Sequence, residues 1–206
     1  MANPDRPRGF RPVKTKSGAP YTGHIRAVYS LAADRSSDST NNHGDIYIGD
    51  PIVVDTSGVV AFADSNVAVT GVAIGFGHAS TVNFGADGTI YSPAPPFDPS
   101  NLTKRYLAYN EAGWVYYVDV QDVLFEIQSA SDLDLEVGSL ADTTGAAATA
   151  HGSRTTGFSD VELTTASDND VKVVEIVLAP DNDPTLANTR YLVEFFIQNF
   201  EANNAT

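Results

Sequence analysis

The chain predicts an all-β fold: an antiparallel β-sandwich or β-barrel, formed as one domain or as two small β lobes, with an extended N-terminal arm. Three observations lead there. Short apolar runs alternate with turn-forming residues from Asp45 onward, the habit of antiparallel sheets. No stretch of about ten residues shows the 3.6-residue apolar period of an amphipathic helix. Pro4, Pro7, Pro12 and Pro20, with Gly9 and Gly18, crowd the first 22 residues, a density that prevents helix and disfavours a central strand.

Residues 1–22 therefore read as an extended basic arm, with a disordered tail as the alternative because terminal segments are loose unless tied down, and residues 23–92 as a first β lobe with strands near 46–48, 52–54, 59–62 and 67–76. Gly58, in Asp55-Thr56-Ser57-Gly58, suits the positive φ of a tight hairpin. Pro51 ends the run before it, because it has no N–H for a ladder. Residues 93–100, with four prolines, read as a linker or a long loop.

Residues 101–206 read as a second β lobe, with strands near 105–110, 114–120, 123–128, 133–137, 161–165, 171–178 and 190–198. Strict alternation over Asp132-Leu133-Asp134-Leu135-Glu136-Val137 predicts one apolar and one wet face. The runs at 171–178 and 191–200 carry bulky apolar residues on both faces, Phe195 beside Phe196 among them, and so predict cover on both sides. Residues 138–157 are rich in Gly, Ala, Thr and Ser and read as loop, with 139–143 a weaker candidate for a short helix.

Charge is sparse and unevenly placed. Asp, Glu, Lys and Arg make up 18% of the chain, against roughly a quarter in ordinary globular proteins. Residues 1–26 hold Arg6, Arg8, Arg11, Lys14, Lys16 and Arg26 against Asp5 alone, a net +5, so a total of −14 leaves −19 for residues 27–206. A basic arm on an acidic body predicts docking of Arg6, Arg8, Arg11, Lys14 and Lys16 on an acidic protein surface. Phosphates would be repelled by that body, so no nucleic-acid partner is expected.

The residue inventory argues against an enzyme. With no cysteine there is neither a disulfide framework nor a thiolate metal site. His24, His43, His78 and His151 are far apart in sequence and form no HExxH pair, and the paired acids Asp132/Asp134, Asp168/Asp170 and Asp181/Asp183 lack the ligand spacing of a calcium loop. Gly75-Phe76-Gly77-His78-Ala79-Ser80 lacks the last glycine of a dinucleotide loop, and Gly157-Phe158-Ser159-Asp160-Val161 lacks the second glycine of a nucleophile elbow. No metal and no cofactor is expected. Trp114, Tyr116 and Tyr117, near Tyr106 and Tyr109, are candidate interface anchors or a sugar-stacking platform, although alternation alone would bury Trp114 and Tyr116 together in a core. The N-terminus lacks a signal-peptide core and no run reaches the length of a membrane span, so a cytoplasmic, membrane-free site of synthesis is expected.

Several segments are similar to structural proteins of tailed bacteriophages. The opening Met-Ala-Asn-Pro-Asp-Arg-Pro-Arg-Gly-Phe-Arg-Pro-Val-Lys resembles the start of proteins encoded beside capsid genes, and Gly49-Asp50-Pro51-Ile52-Val53 leading to Val69-Thr70-Gly71-Val72-Ala73 resembles head decoration, or cement, proteins. Leu124–Gln128, Thr155–Leu163 and Ala179–Asp183 fit the same group. The resemblance implies a β-rich virion protein, made in the host bacterial cytoplasm, that binds the major capsid protein on the capsid exterior and stabilises the shell, commonly as a homotrimer. The alternative is a carbohydrate-binding β module on a virion knob or tail fibre.

Overall fold

The computed structural model describes residues 2–30, 44–54, 60–63, 68–78, 105–109, 111–144, 151–165 and 170–196. They form an all-β, antiparallel architecture of thirteen strands: β1 (Arg11–Thr15), β2 (Arg26–Ser30), β3 (Ile46–Tyr47), β4 (Pro51–Val54), β5 (Val60–Phe62), β6 (Gly71–His78), β7 (Tyr106–Leu107), β8 (Gly113–Asp119), β9 (Val123–Gln128), β10 (Leu140–Thr143), β11 (Leu163–Thr164), β12 (Val171–Ile176) and β13 (Arg190–Phe195).

A six-stranded sheet runs β1-β9-β13-β12-β10-β11, a five-stranded sheet β2-β8-β6-β4-β5, and β3 pairs with β7 as a separate ribbon. The hydrogen bonding does not divide at 93–100, a stretch that lies outside the described residues. β8 stands between β2 and β6, and β1 lies beside β9. The segments assigned to a first and a second lobe thus share the five-stranded sheet and the β3–β7 ribbon, and the N-terminal segment joins the six-stranded sheet.

Alternation along β8 explains the layering. Val118 faces a main core with Val72 of β6, Phe125 and Ile127 of β9, Val171 and Val173 of β12, and Val193 and Phe195 of β13. Val115 and Tyr117 point the other way, into a second core with Ile46, Ile52, Phe76 and Leu107, which the β3–β7 ribbon helps to close. The five-stranded sheet is therefore the middle layer.

Strand assignments from alternation hold best where burial is deepest. β9 spans the residues the pattern marked, and β8 starts one residue earlier and ends one earlier than expected. β13 is covered on both faces over Tyr191, Leu192 and Val193, as its composition required, whereas Phe196 is 59% exposed. Three segments differ. Residues 133–137 form no ladder: Asp134 takes a φ of 44°, so the chain runs alongside the sheet with Leu133 and Leu135 packed against the core and Val137 65% exposed. Residues 140–143, read as loop or short helix, are β10, where Ala141, Asp142 and Thr143 are buried and small enough to sit between β11 and β12. β2 was not expected, because Arg26-Ala27-Val28-Tyr29-Ser30 is a weak apolar run; its pairing with β8 supplies what its side chains do not.

The N-terminal segment is extended, and it is built into the fold of its own chain. β1 is the edge strand beside β9, a position in which Pro12 costs no ladder bond on its open side. A bulge between Pro12 and Lys14 resets the side-chain alternation, which is why Arg11 and Lys14, three residues apart, both reach carboxylates of the same chain. Ahead of β1, Phe10 is 2% exposed, its ring 6.2 Å from Phe125 and 4.6 Å from Phe195. Gly9 passes so close to Gly49 that a Cβ on Gly9 would lie 2.4 Å from the Gly49 carbonyl oxygen, and both have positive φ, 63° and 95°. Only glycine fits there.

Removing the Phe10 ring leaves a cavity between Phe125 and Phe195, so Phe10→Ala is expected to lower the unfolding free energy by about 3 to 5 kcal/mol. Urea titration followed by Trp114 fluorescence measures it; a loss below about 1 kcal/mol would show that the segment is not seated.

Candidate functional site

Two places gather the polar residues singled out by chemistry: the seat of the N-terminal segment, and a buried cluster around Asp50 and His151. The seat begins at Asn3, which is buried. Its Nδ2 donates to the carbonyls of Asp183 (2.8 Å) and Ala187 (3.0 Å), and its Oδ1 accepts from the Asp183 N–H (2.7 Å). The Arg6 N–H donates to Gln128 Oε1 at 3.1 Å, and the Phe10 N–H to the Gly49 carbonyl at 2.8 Å.

The cations of the segment then divide into two groups. Arg11 pairs with Glu126 at 2.8 Å, Lys16 with Glu194 at 3.1 Å, and Lys14 with Glu175. Farther on, Arg26 pairs with Asp119 at 3.1 Å. These carboxylates lie on β9, β12, β13 and β8, so the acidic surface that receives the basic segment belongs to the same chain. Each pair is partly open to solvent and contributes about 0 to 1 kcal/mol. Arg6 and Arg8 have no carboxylate partner among the described residues. Both are exposed, Arg8 lying over the Phe158 ring at 5.2 Å. With Arg11, Arg190, Glu126 and Gln128 they line a shallow cavity of about 50 Å³.

The aromatic candidates are placed inside. Trp114, Tyr116 and Tyr117 are 4%, 8% and 7% exposed. Trp114 packs edge-on against Tyr29 at 5.3 Å and shares its cluster with Tyr116, while Tyr117 points into the core under the β3–β7 ribbon. They offer no open stacking platform in this chain.

The second place joins residues far apart in sequence. Asp50 is fully buried in the turn between β3 and β4, and its Oδ2 accepts from the Tyr47 N–H at 2.7 Å and lies 3.1 Å from His151 Nε2. Asp45 Oδ2 accepts from the Tyr47 hydroxyl (3.0 Å) and Arg154 Nε (2.7 Å), and its Oδ1 from the Tyr109 N–H (3.1 Å). The Tyr47 ring stacks on Tyr106 at 5.6 Å and meets His151 edge-on at 5.5 Å. Backbone bonds close the site: Ile48 N–H to the Gly157 carbonyl (3.0 Å) and Ser159 N–H to the Ile48 carbonyl (2.9 Å).

Burial raises the pKa of Asp50, against the opposing pull of His151. Burial works to lower that of His151, but the bonds and charges of Asp50 and Asp45 outweigh it and the net shift is upward. Tyr47 is pushed up to about 12 by burial and by Asp45. Serine, histidine and aspartate thus meet here without forming a nucleophile: the Ser159 hydroxyl is buried and donates to the His151 backbone carbonyl at 3.4 Å, while the ring nitrogen faces Asp50. The arrangement clamps the β3–β4 turn to residues 151–160. His151 lies outside the strands, as a loop or edge residue; its partner Asp50 stands 101 positions away, so no local pattern announces the pair.

Among the described residues, no group of three or more His, Asp or Glu side chains is placed to hold a metal ion, and no helix is long and apolar enough to cross a membrane. Asp170, one of the paired acids, is buried and accepts from the Thr143 N–H (3.0 Å) and hydroxyl (2.8 Å). Asp181 pairs with Arg190. Compared with protein-family models, with curated proteins and with solved structures, the chain matches none.

Both members of the Asp50–His151 pair hold a proton more tightly when folded. Their contribution to stability is complete below the unfolded values, 6.5 for histidine and 3.8 for aspartate, and is lost as pH rises through the folded ones. The urea midpoint should therefore fall as pH is raised from about 6 to about 9, and His151→Asn should flatten that dependence. A midpoint that rises over this range would contradict the assignment.

Proposed function

We propose that the chain is a structural virion protein that binds the outer surface of a tailed-phage capsid and stabilises it, the role its sequence resemblance implies. The partner is the major capsid protein, with the chain itself as a homotrimer. The observation that supports this reading is the division of the N-terminal cations. Arg11, Lys14 and Lys16 are paired inside the fold, while Arg6 and Arg8 stand exposed with no carboxylate partner among the described residues, on a chain of net charge −14. Two arginines held on a seated segment cost little ordering entropy when they meet acidic side chains. Weak contacts of this kind add up when repeated over a symmetric shell.

The contact therefore lies at Arg6 and Arg8 rather than along the whole basic arm. Arg6→Glu with Arg8→Glu should lower the apparent affinity for purified capsids on the order of tenfold or more, since like charges then face each other. Arg11→Gln should instead cost up to about 1 kcal/mol of folding stability and leave capsid occupancy unchanged. Equal occupancy for the double variant and the native chain would remove the two arginines from the contact. Mass spectrometry of purified particles tests the role itself: abundance comparable to the major shell protein is expected, and absence from the particles would end the reading.

A further inference from the structure

The segment after β1 folds back on it, with Thr15 N–H donating to the Ala19 carbonyl and Tyr21 N–H to the Val13 carbonyl, at 2.8 and 3.0 Å. Between this hairpin and the β8–β9 turn lies a cleft of about 280 Å³. Its floor is apolar, formed by buried Val118 and Val123 with the Tyr21 ring, which packs against the main core. Its rim is polar and held in place. Asp119 Oδ2 lies 3.1 Å from Arg26 Nη2 and its Oδ1 accepts from the Gln121 N–H at 3.1 Å. The Lys16 N–H donates to the Asp122 carbonyl at 2.8 Å, tying the turn to the hairpin, and the Tyr21 hydroxyl donates to the His24 carbonyl at 2.6 Å.

We propose that this cleft binds a neutral polyhydroxylated ring, a single monosaccharide unit. Charge selects against the alternatives. Among the described lining residues Arg26 is matched by Asp119; the exposed Asp122 disfavours an anion, and the Arg26 guanidinium in the same lining disfavours a cation. A sugar hydroxyl is both donor and acceptor, and the rim offers both kinds of group: the Arg26 guanidinium and Gln121 amide donate, and Asp122, Asp119 and the Gln121 oxygen accept. The apolar floor and the half-buried Tyr21 ring suit the C–H face of a pyranose. The volume falls just short of the roughly 300 Å³ at which sites for drug-sized ligands begin, so one ring fits and a longer glycan would extend into solvent. This cleft is separate from Arg6 and Arg8 and from the buried aromatic group, and it stands whether or not the chain binds capsids.

The test is an NMR titration of the full chain with glucose, galactose, mannose and N-acetylglucosamine, each taken separately to high millimolar concentration. At least one should give saturable amide shifts confined to residues 18–26 and 118–123. Asp122→Ala should weaken that binding about tenfold or more, as expected for loss of a charged hydrogen-bond partner, with an unchanged far-ultraviolet circular dichroism spectrum. Gln121→Ala, on the same exposed turn, should weaken it less, and Asp181→Ala, outside the cleft, should leave it intact. The proposal is overturned if none of the four sugars gives a saturable shift, if the shifts map elsewhere, or if Asp122→Ala binds like the native chain.

Discussion

The seating of Phe10 between Phe125 and Phe195 is the contact on which the rest of the described structure depends. It places an aromatic ring from the N-terminal segment into the main core against β9 and β13, neighbouring strands of the six-stranded sheet. Once Phe10 is in, Gly9 must pass against Gly49, and the Phe10 N–H meets the Gly49 carbonyl. That fixes the turn carrying Asp50, which in turn receives His151. One buried ring therefore links an edge strand, the β3–β4 turn and the 151–160 segment. Its apolar burial, of the order of 2 to 3 kcal/mol, outweighs any single solvated ion pair along β1.

The uneven charge of the chain takes on a specific meaning in this frame. A net +5 segment beside a body of −19 lowers self-repulsion most when the segment lies on that body, and Glu126, Glu175 and Glu194 are where it does so. Long-range attraction between the two also favours docking of β1 beside β9, while the ladder and Phe10 supply the stability. Arg6 and Arg8, on the same segment, stay exposed and have no carboxylate partner among the described residues.

How much could be read from the sequence follows from which interactions are local. Alternation and turn residues are local, and they located β8, β9, β12 and β13 and the pairing of Trp114 with Tyr116 on one face. The Pro- and Gly-rich start excludes helix and disfavours a central strand, and it is extended; that it adds an edge strand to β9 is set by the long-range pairing, in which a bulge tolerates proline. The alternation at 132–137 is also present in the structure as half-buried Leu133 and Leu135 with exposed acids; the positive φ of Asp134, a backbone property, is what denies it a ladder. β2 and β10 form because neighbouring strands recruit them, which weakly apolar segments do not announce. Asp50 and His151 were invisible for the same reason: their pairing exists only after the chain has closed over about a hundred residues.

Amide hydrogen exchange of the native chain tests the central claim, that the basic N-terminal segment is a permanent part of the sheet. The amides of Phe10, Lys16 and Tyr21, bonded to the carbonyls of Gly49, Asp122 and Val13, should be protected to a degree approaching that of the β9 and β13 amides. Exchange of these three at the rate of an unstructured peptide, with β9 still protected, would contradict it.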